Sequence, residues 1–144
     1  MKDKNTEILN KIYQIAETAK TVIANLIVHV TDMPFTEELR REYGIYEKIS
    51  ESIIKELYKR NKDPKSANFF EKAFLYYSIK ICIIKDNSLS NYAKILLNYT
   101  VNGITELLQI TRRYKDVLND PVQKFADRLL KAKEEFEVKL KEFI

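Results

Sequence analysis

Glycine and proline are scarce in this chain, at two and three among 144 residues. Gly44 and Gly103 stand alone inside periodic segments, so no glycine-rich phosphate loop can be built from them. The single cysteine, Cys82, rules out an intrachain disulfide and a zinc site made of several thiolates. Its neighbours Ile81, Ile83 and Ile84 predict a small buried hydrophobe rather than a reactive thiol. Long apolar runs are missing too. No window reaches the ~18 to 20 consecutive apolar residues that a membrane span needs. The nearest, Phe69 to Ile84, is broken by Glu71, Lys72, Ser78 and Lys80. Met1 to Asn5 carries no apolar run behind a basic stretch, so a signal peptide is not expected and a cytoplasmic location is.

Charge of one sign is also lacking. The net charge is +4, yet residues 34–61 carry six basic and six acidic side chains, as do residues 117–144. Only 62–85 leans basic, through Lys62, Lys65, Lys72, Lys80 and Lys85 against Asp63 and Glu71. Interspersed charge is the pattern of solvated helix surfaces, whereas nucleic-acid binding calls for clustered positive charge. Neither a nucleic acid nor a membrane is expected as partner.

What the chain has in abundance is helical periodicity. Apolar residues recur at alternating steps of three and four in four segments of matched length. Ile8, Ile12, Ile15, Ala19, Val22 and Leu26 form the first seam. Leu39, Tyr43, Tyr46, Ser50, Ile53 and Leu57 form the second. Leu89, Ala93, Leu96, Thr100, Gly103 and Leu107 mark a further helix, with small residues at mid-seam where backbones could approach. Val122, Phe125, Leu129, Ala132, Phe136 and Leu140 line the last, behind the cap signal Asp120-Pro121. A shorter segment, Ala67 to Lys85, is apolar nearly all round, so most of its circumference should be covered.

The predicted helices are 5–31, 34–61, 67–85, 88–115 and 120–143 in a single domain. Tight turns at 31–34 and 116–120 favour two antiparallel hairpins. The intervening segment is long enough to cross from one end of a bundle to the other. Hairpin, crossover and hairpin make an all-α, four-helix ferritin-like bundle, with a plain five-helix up-down bundle as the alternative.

Chemistry is harder to find. A di-iron site in such a bundle draws on carboxylates and two Glu-x-x-His pairs. Here there is one histidine, His29, with Leu26 three residues before it. No metal, cofactor or catalytic residue is expected. His29 continues the heptad of Ile8, Ile15 and Val22 and should point inward near the end of the first helix. Together with Tyr43 and Tyr46 it is the candidate lining of an aromatic ligand cavity. The apolar middle segment offers a different surface. Tyr76, Tyr77, Ile81 and Ile84 are the candidate contacts for a partner chain.

Several stretches together carry a resemblance: Ile8 to Tyr13, Ile79 to Lys94, Gly103-Ile104-Thr105, Leu129-Leu130 and Leu140 to Phe143. The chain resembles a group of small, functionally uncharacterised ferritin-like helical proteins of clostridia and related Firmicutes. The resemblance implies a ferritin-like bundle without an assigned activity. In such relatives the Asp-x-Ser-x-Ser stretch is often followed by a histidine and then a glutamate, where this chain has Asn91 and Lys94. A metal or proton-transfer role tied to that pair would be lost here. The expected function is non-enzymatic protein association, as a homo-oligomer (a dimer) or with another protein. A small apolar-ligand module with a Tyr-lined cavity is the alternative, and a metal-dependent redox protein a third reading.

Overall fold

The computed structural model describes residues 3–144, and among these no strand occurs. Five helices follow one another: α1 Lys4–Ile27, α2 Met33–Lys59, α3 Phe69–Lys85, α4 Leu89–Arg113 and α5 Asp120–Lys141. Each start is chemically marked. The Asp3 carboxylate accepts from the Asn5 backbone N–H at 3.1 Å, and Asp32 accepts from Phe35 N–H at 3.0 Å. Asn68 and Glu71 form a reciprocal capping box at α3, which satisfies two amide donors that the helix cannot pair itself. Ser88 caps α4. Asn119 caps α5, one residue before the expected Asp120, with Pro121 in the first turn.

The ends differ more from expectation. α1 stops at Ile27, because His29 N–H and Val30 N–H turn back to the Leu26 and Ile27 carbonyls in tightened i→i−3 bonds. α2 closes with Asn61 at φ 56°, Asn61 N–H on Tyr58 O and Lys62 N–H on Leu57 O. That left-handed closure satisfies terminal carbonyls, and asparagine tolerates it better than most residues.

α1 and α2 pack as one hairpin and α4 and α5 as another; α1 also meets α4 and α5, and α2 meets α5. At one end, Asn5 clamps the α4–α5 turn by donating to Val117 O at 3.0 Å and accepting from Asn119 N–H at 2.8 Å. At the other, Phe35 at the start of α2 stacks on Phe143 after α5, with ring centroids 4.8 Å apart. The core is built on heptads. Phe35, Leu39, Glu42, Tyr46, Ile49 and Ile53 of α2 are all buried. So are Val122, Ala126, Leu129, Lys133, Phe136 and Leu140 of α5. Each fully buried Leu, Ile or Phe is worth roughly 1.5–3 kcal/mol against leaving it in water, so these stripes fix which faces turn inward.

α3 lies across α1 and α4. Its approach is pinned where Lys65 N–H donates to Asn10 Oδ1 at 3.0 Å and Gln14 donates to Lys65 O at 2.9 Å. Its exit is pinned by Asn91, whose amide donates to Asp86 O at 2.6 Å and Cys82 O at 3.2 Å. Between these ties only Ile79 and Ile83 are buried. The expectation that most of α3 is covered therefore fails within one chain. Cys82, expected in the core, is exposed for the same reason. The two glycines differ as well. A methyl group at Gly44 would meet nothing within 4 Å, so no close approach explains it. At Gly103 the neighbour is not a backbone but the end of a side chain, with Lys133 Cε and Nζ each 2.8 Å from a would-be Cβ.

Candidate functional site

Two regions stand apart from an ordinary helical core. The first is the outer face of α3. Phe70, Phe74, Tyr76, Tyr77, Ile81 and Ile84 are between 44% and 81% exposed. Contiguous exposed apolar surface of this kind is uncommon on a single chain. Phe70, Phe74, Tyr77, Ile81 and Ile84 step by four, three, four and three residues, a straight seam along the helix. All four expected contact residues, Tyr76, Tyr77, Ile81 and Ile84, reach the surface; three lie on the seam and Tyr76 lies beside it. Rings stack edge to face within it, Phe69 on Phe70 at 5.9 Å and Tyr76 on Tyr77 at 5.3 Å.

The second region is interior. Glu42, Tyr46 and Lys133 are only 1–2% exposed. Burial pushes the Glu42 carboxyl up to about 7, against the opposing influence of the Tyr46 hydroxyl and Arg41, whose Nη2 stands 3.7 Å from Glu42 Oε2. Burial likewise drives the Lys133 amine down to about 8, opposed by Glu42 and by Glu106. The Tyr46 phenol is raised by burial and by Glu42 beside it. Tyr46 and Glu42 face each other as donor and acceptor, in a contact looser than a full hydrogen bond. Glu42 Oε1 and Tyr46 Oη have no hydrogen-bond partner among the described residues. Lys133 Nζ sits 5.0 Å from the centre of the Tyr46 ring, a cation–π contact, which contributes ~0.5–2 kcal/mol.

Tyr46, Lys133 and Phe136 form part of the wall of a cavity of about 520 Å³ between α1, α4 and α5. Its wall mixes apolar Ile15, Val22, Ile23 and Leu96 with Gln14, Thr18 and Thr100, and exposed Lys11, Glu71, Asn102 and Glu106 stand where it opens. A shallower groove of about 650 Å³ runs beside it between α1 and α3, sharing Gln14, Glu71 and Tyr99.

Of the three expected cavity residues only Tyr46 lines it. His29 is exposed beyond the end of α1, because the helix stops at Ile27 and its heptad register stops with it. Tyr43 is half-buried on another face, under Lys20, whose Nζ is 5.5 Å from the ring centre. Glu42 and Lys133 were not anticipated, although each fills a slot in an unbroken heptad on its helix. Asn91 acts as a tie for the α3 terminus, and Lys94 points into solvent. No group of three or more His, Cys, Asp or Glu side chains converges among the described residues. No helix there is long and apolar enough to cross a membrane.

A scan against protein-family models finds no match, and neither the curated proteins nor the solved structures contain a match to this chain.

Proposed function

We propose that the protein is a ferritin-like helical bundle acting as a non-catalytic association module, which pairs with a second copy of itself through α3. The two hairpins, joined by a crossover that lies across α1 and α4, support the ferritin-like reading. The observation that carries self-association is the bare heptad seam Phe70-Phe74-Tyr77-Ile81-Ile84, since a helix with such a seam buries it best against another of the same period.

The occupant and its direction follow from the order of residues along α3. Bulky aromatic residues fill the N-terminal half and isoleucines the C-terminal half. An antiparallel pair sets Phe74 against Ile84 of the second copy and Tyr77 against Ile81, matching large to small side chains in each layer. It also brings Glu71 near the start of one helix beside Lys85 at the end of the other. A parallel pair would stack ring on ring and place Lys85 beside Lys85. One seam of 17 residues, about 25 Å long, makes a small interface, so the dimer should be a micromolar one.

Sedimentation velocity at tens of micromolar tests the reading. The wild-type chain should sediment as a dimer and Ile81→Asp as a monomer of unchanged helicity, since Ile81 is already solvent-exposed in the single chain. In a Cys82→Ser background, oxidising a mixture of Phe74→Cys and Ile84→Cys chains should yield the mixed disulfide in preference to either homodimer. A wild-type monomer under these conditions, or co-flotation with anionic vesicles in place of dimerisation, overturns it.

A further inference from the structure

The interior of the bundle holds polar atoms without a full hydrogen-bond partner. The Lys133 amine is buried and makes no hydrogen bond or ion pair among the described residues. The Tyr46 hydroxyl is fully enclosed beside the Glu42 carboxyl, with no acceptor at full hydrogen-bond distance. Both belong to the wall of the same cavity. A buried amine and a buried phenol are costly to leave unpaired, and packing does not account for the amine. Its stem could have ended at Cδ and still covered Gly103; instead Cε and Nζ run on across the glycine, where any Cβ would collide with them. The missing side chain at Gly103 is what gives the ammonium its place beside the cavity.

We infer that the cavity between α1, α4 and α5 binds a small monocarboxylate with an apolar body, its head on Lys133 Nζ and the Tyr46 hydroxyl and its body along Ile15, Val22, Ile23 and Leu96. The volume, about 520 Å³, falls within the ~300–1,000 Å³ of small-molecule sites. One ammonium and one hydroxyl donor match the two oxygens and single charge of a carboxylate. A phosphate dianion is disfavoured, because Lys133 is the one buried cation of the wall, Lys11 stands exposed at its edge with Glu71 and Glu106, and the Glu42 carboxyl lies beside Tyr46. A neutral apolar guest would fill the space but leave both donors unused. A charge-assisted hydrogen bond has about twice the strength of a neutral one, so the head group should dominate recognition. The ligand would enter past Glu71, Asn102 and Glu106, on the side where α3 crosses. This site does not depend on the pairing of α3 with a second copy, and either can fail while the other stands.

Isothermal titration calorimetry with octanoate, and with octan-1-ol as a neutral match in length, tests the inference on the intact chain. Octanoate should bind saturably at one site per chain, at least about tenfold more tightly than octanol. Lys133→Met should remove about that factor for octanoate and leave octanol unchanged. Tyr46→Phe, which deletes the hydroxyl beside Glu42 and keeps the ring, should weaken octanoate about threefold while the protein stays folded. No saturable octanoate binding, equal affinity for octanol, or full affinity in Lys133→Met each overturns the assignment.

Discussion

Replacing Lys133 by methionine should make the ligand-free protein more stable, against the usual outcome of a core substitution. Methionine keeps the aliphatic stem over Gly103 and discards the buried amine. Burial lowers that amine from an ordinary 10.5 to about 8. At 1.36 kcal/mol per unit, the folded state carries about 3 kcal/mol of unfavourable energy while the amine is charged. A chain of this size converts that into a rise on the order of 10 °C in Tm. The pH dependence identifies the cause. A base whose folded pKa lies below its unfolded one binds fewer protons in the folded state across the window between them. Wild-type stability must therefore climb from about pH 8 to about pH 10.5, and the advantage of Lys133→Met must shrink over that interval. Glu42 acts in the opposite sense. Its carboxyl is raised from 4.5 to about 7, so stability falls as pH rises through that range. The wild-type protein should be least stable between the two windows, near pH 7 to 8, where both interior groups are charged. The charged groups that bear on Lys133 are Glu42 from α2 and Glu106 from α4. Differential scanning calorimetry of both proteins from pH 5 to 10.5 reads these slopes. A Lys133→Met chain no more stable than wild type at pH 7, with parallel profiles, would refute the claim that the amine is enclosed and unpaired.

Other perturbations should behave more conventionally. Gly44→Ala should add about 1 kcal/mol in urea denaturation, because the new methyl group meets nothing within 4 Å; a loss of stability would reveal a hidden contact. Glu17→Ala should cost about 1–2 kcal/mol by the same assay, since Glu17 accepts from the buried Ser50 hydroxyl at 3.1 Å and pairs with Lys20 at 3.0 Å. Asp32→Ala should cost about 1 kcal/mol by releasing the Phe35 N–H that it caps, whereas Asp32→Asn should cost little.

The helical content and the turns were legible because amphipathic period and caps are local. Proline and the Asp, Asn and Ser caps mark where each helix begins, and the stripes through Ile8, Leu39, Leu96 and Leu129 mark which side is buried. The polar interior was misread through one ambiguity. On α2 the steps Leu39-Tyr43-Tyr46 and Leu39-Glu42-Tyr46 are equally helical, and preference for the apolar residue hid Glu42. The same choice on α5 took Ala132 over Lys133. A test of each heptad for continuity, rather than for apolar content, would have exposed one charged residue of opposite sign on each helix. His29 was misplaced by carrying a heptad past the end of its helix, which tightened i→i−3 bonds bring forward to Ile27. For α3 the composition announced an apolar helix, but what covers such a helix is a property of the assembled surface, not of local spacing.

Glu42 and Lys133 could instead form a buried ion pair that fixes the register of α2 against α5. Such a pair would be bonded. Breaking it from one side strands a charge and costs about 3–5 kcal/mol. Here no contact within 4.0 Å joins the two groups; Glu42 instead has Arg41 at 3.7 Å, and Lys133 lies over the Tyr46 ring. The geometry therefore assigns them weak mutual coupling and separate burdens. A double-mutant cycle with Glu42→Gln and Lys133→Met separates the cases. A register pair would give a coupling of several kcal/mol, with each single variant less stable than wild type. Separate burdens should give a coupling below about 1 kcal/mol and stabilisation in both single variants at pH 7.5. The second outcome leaves an amine that lowers stability and braces nothing, which is the signature of a group held ready for a ligand.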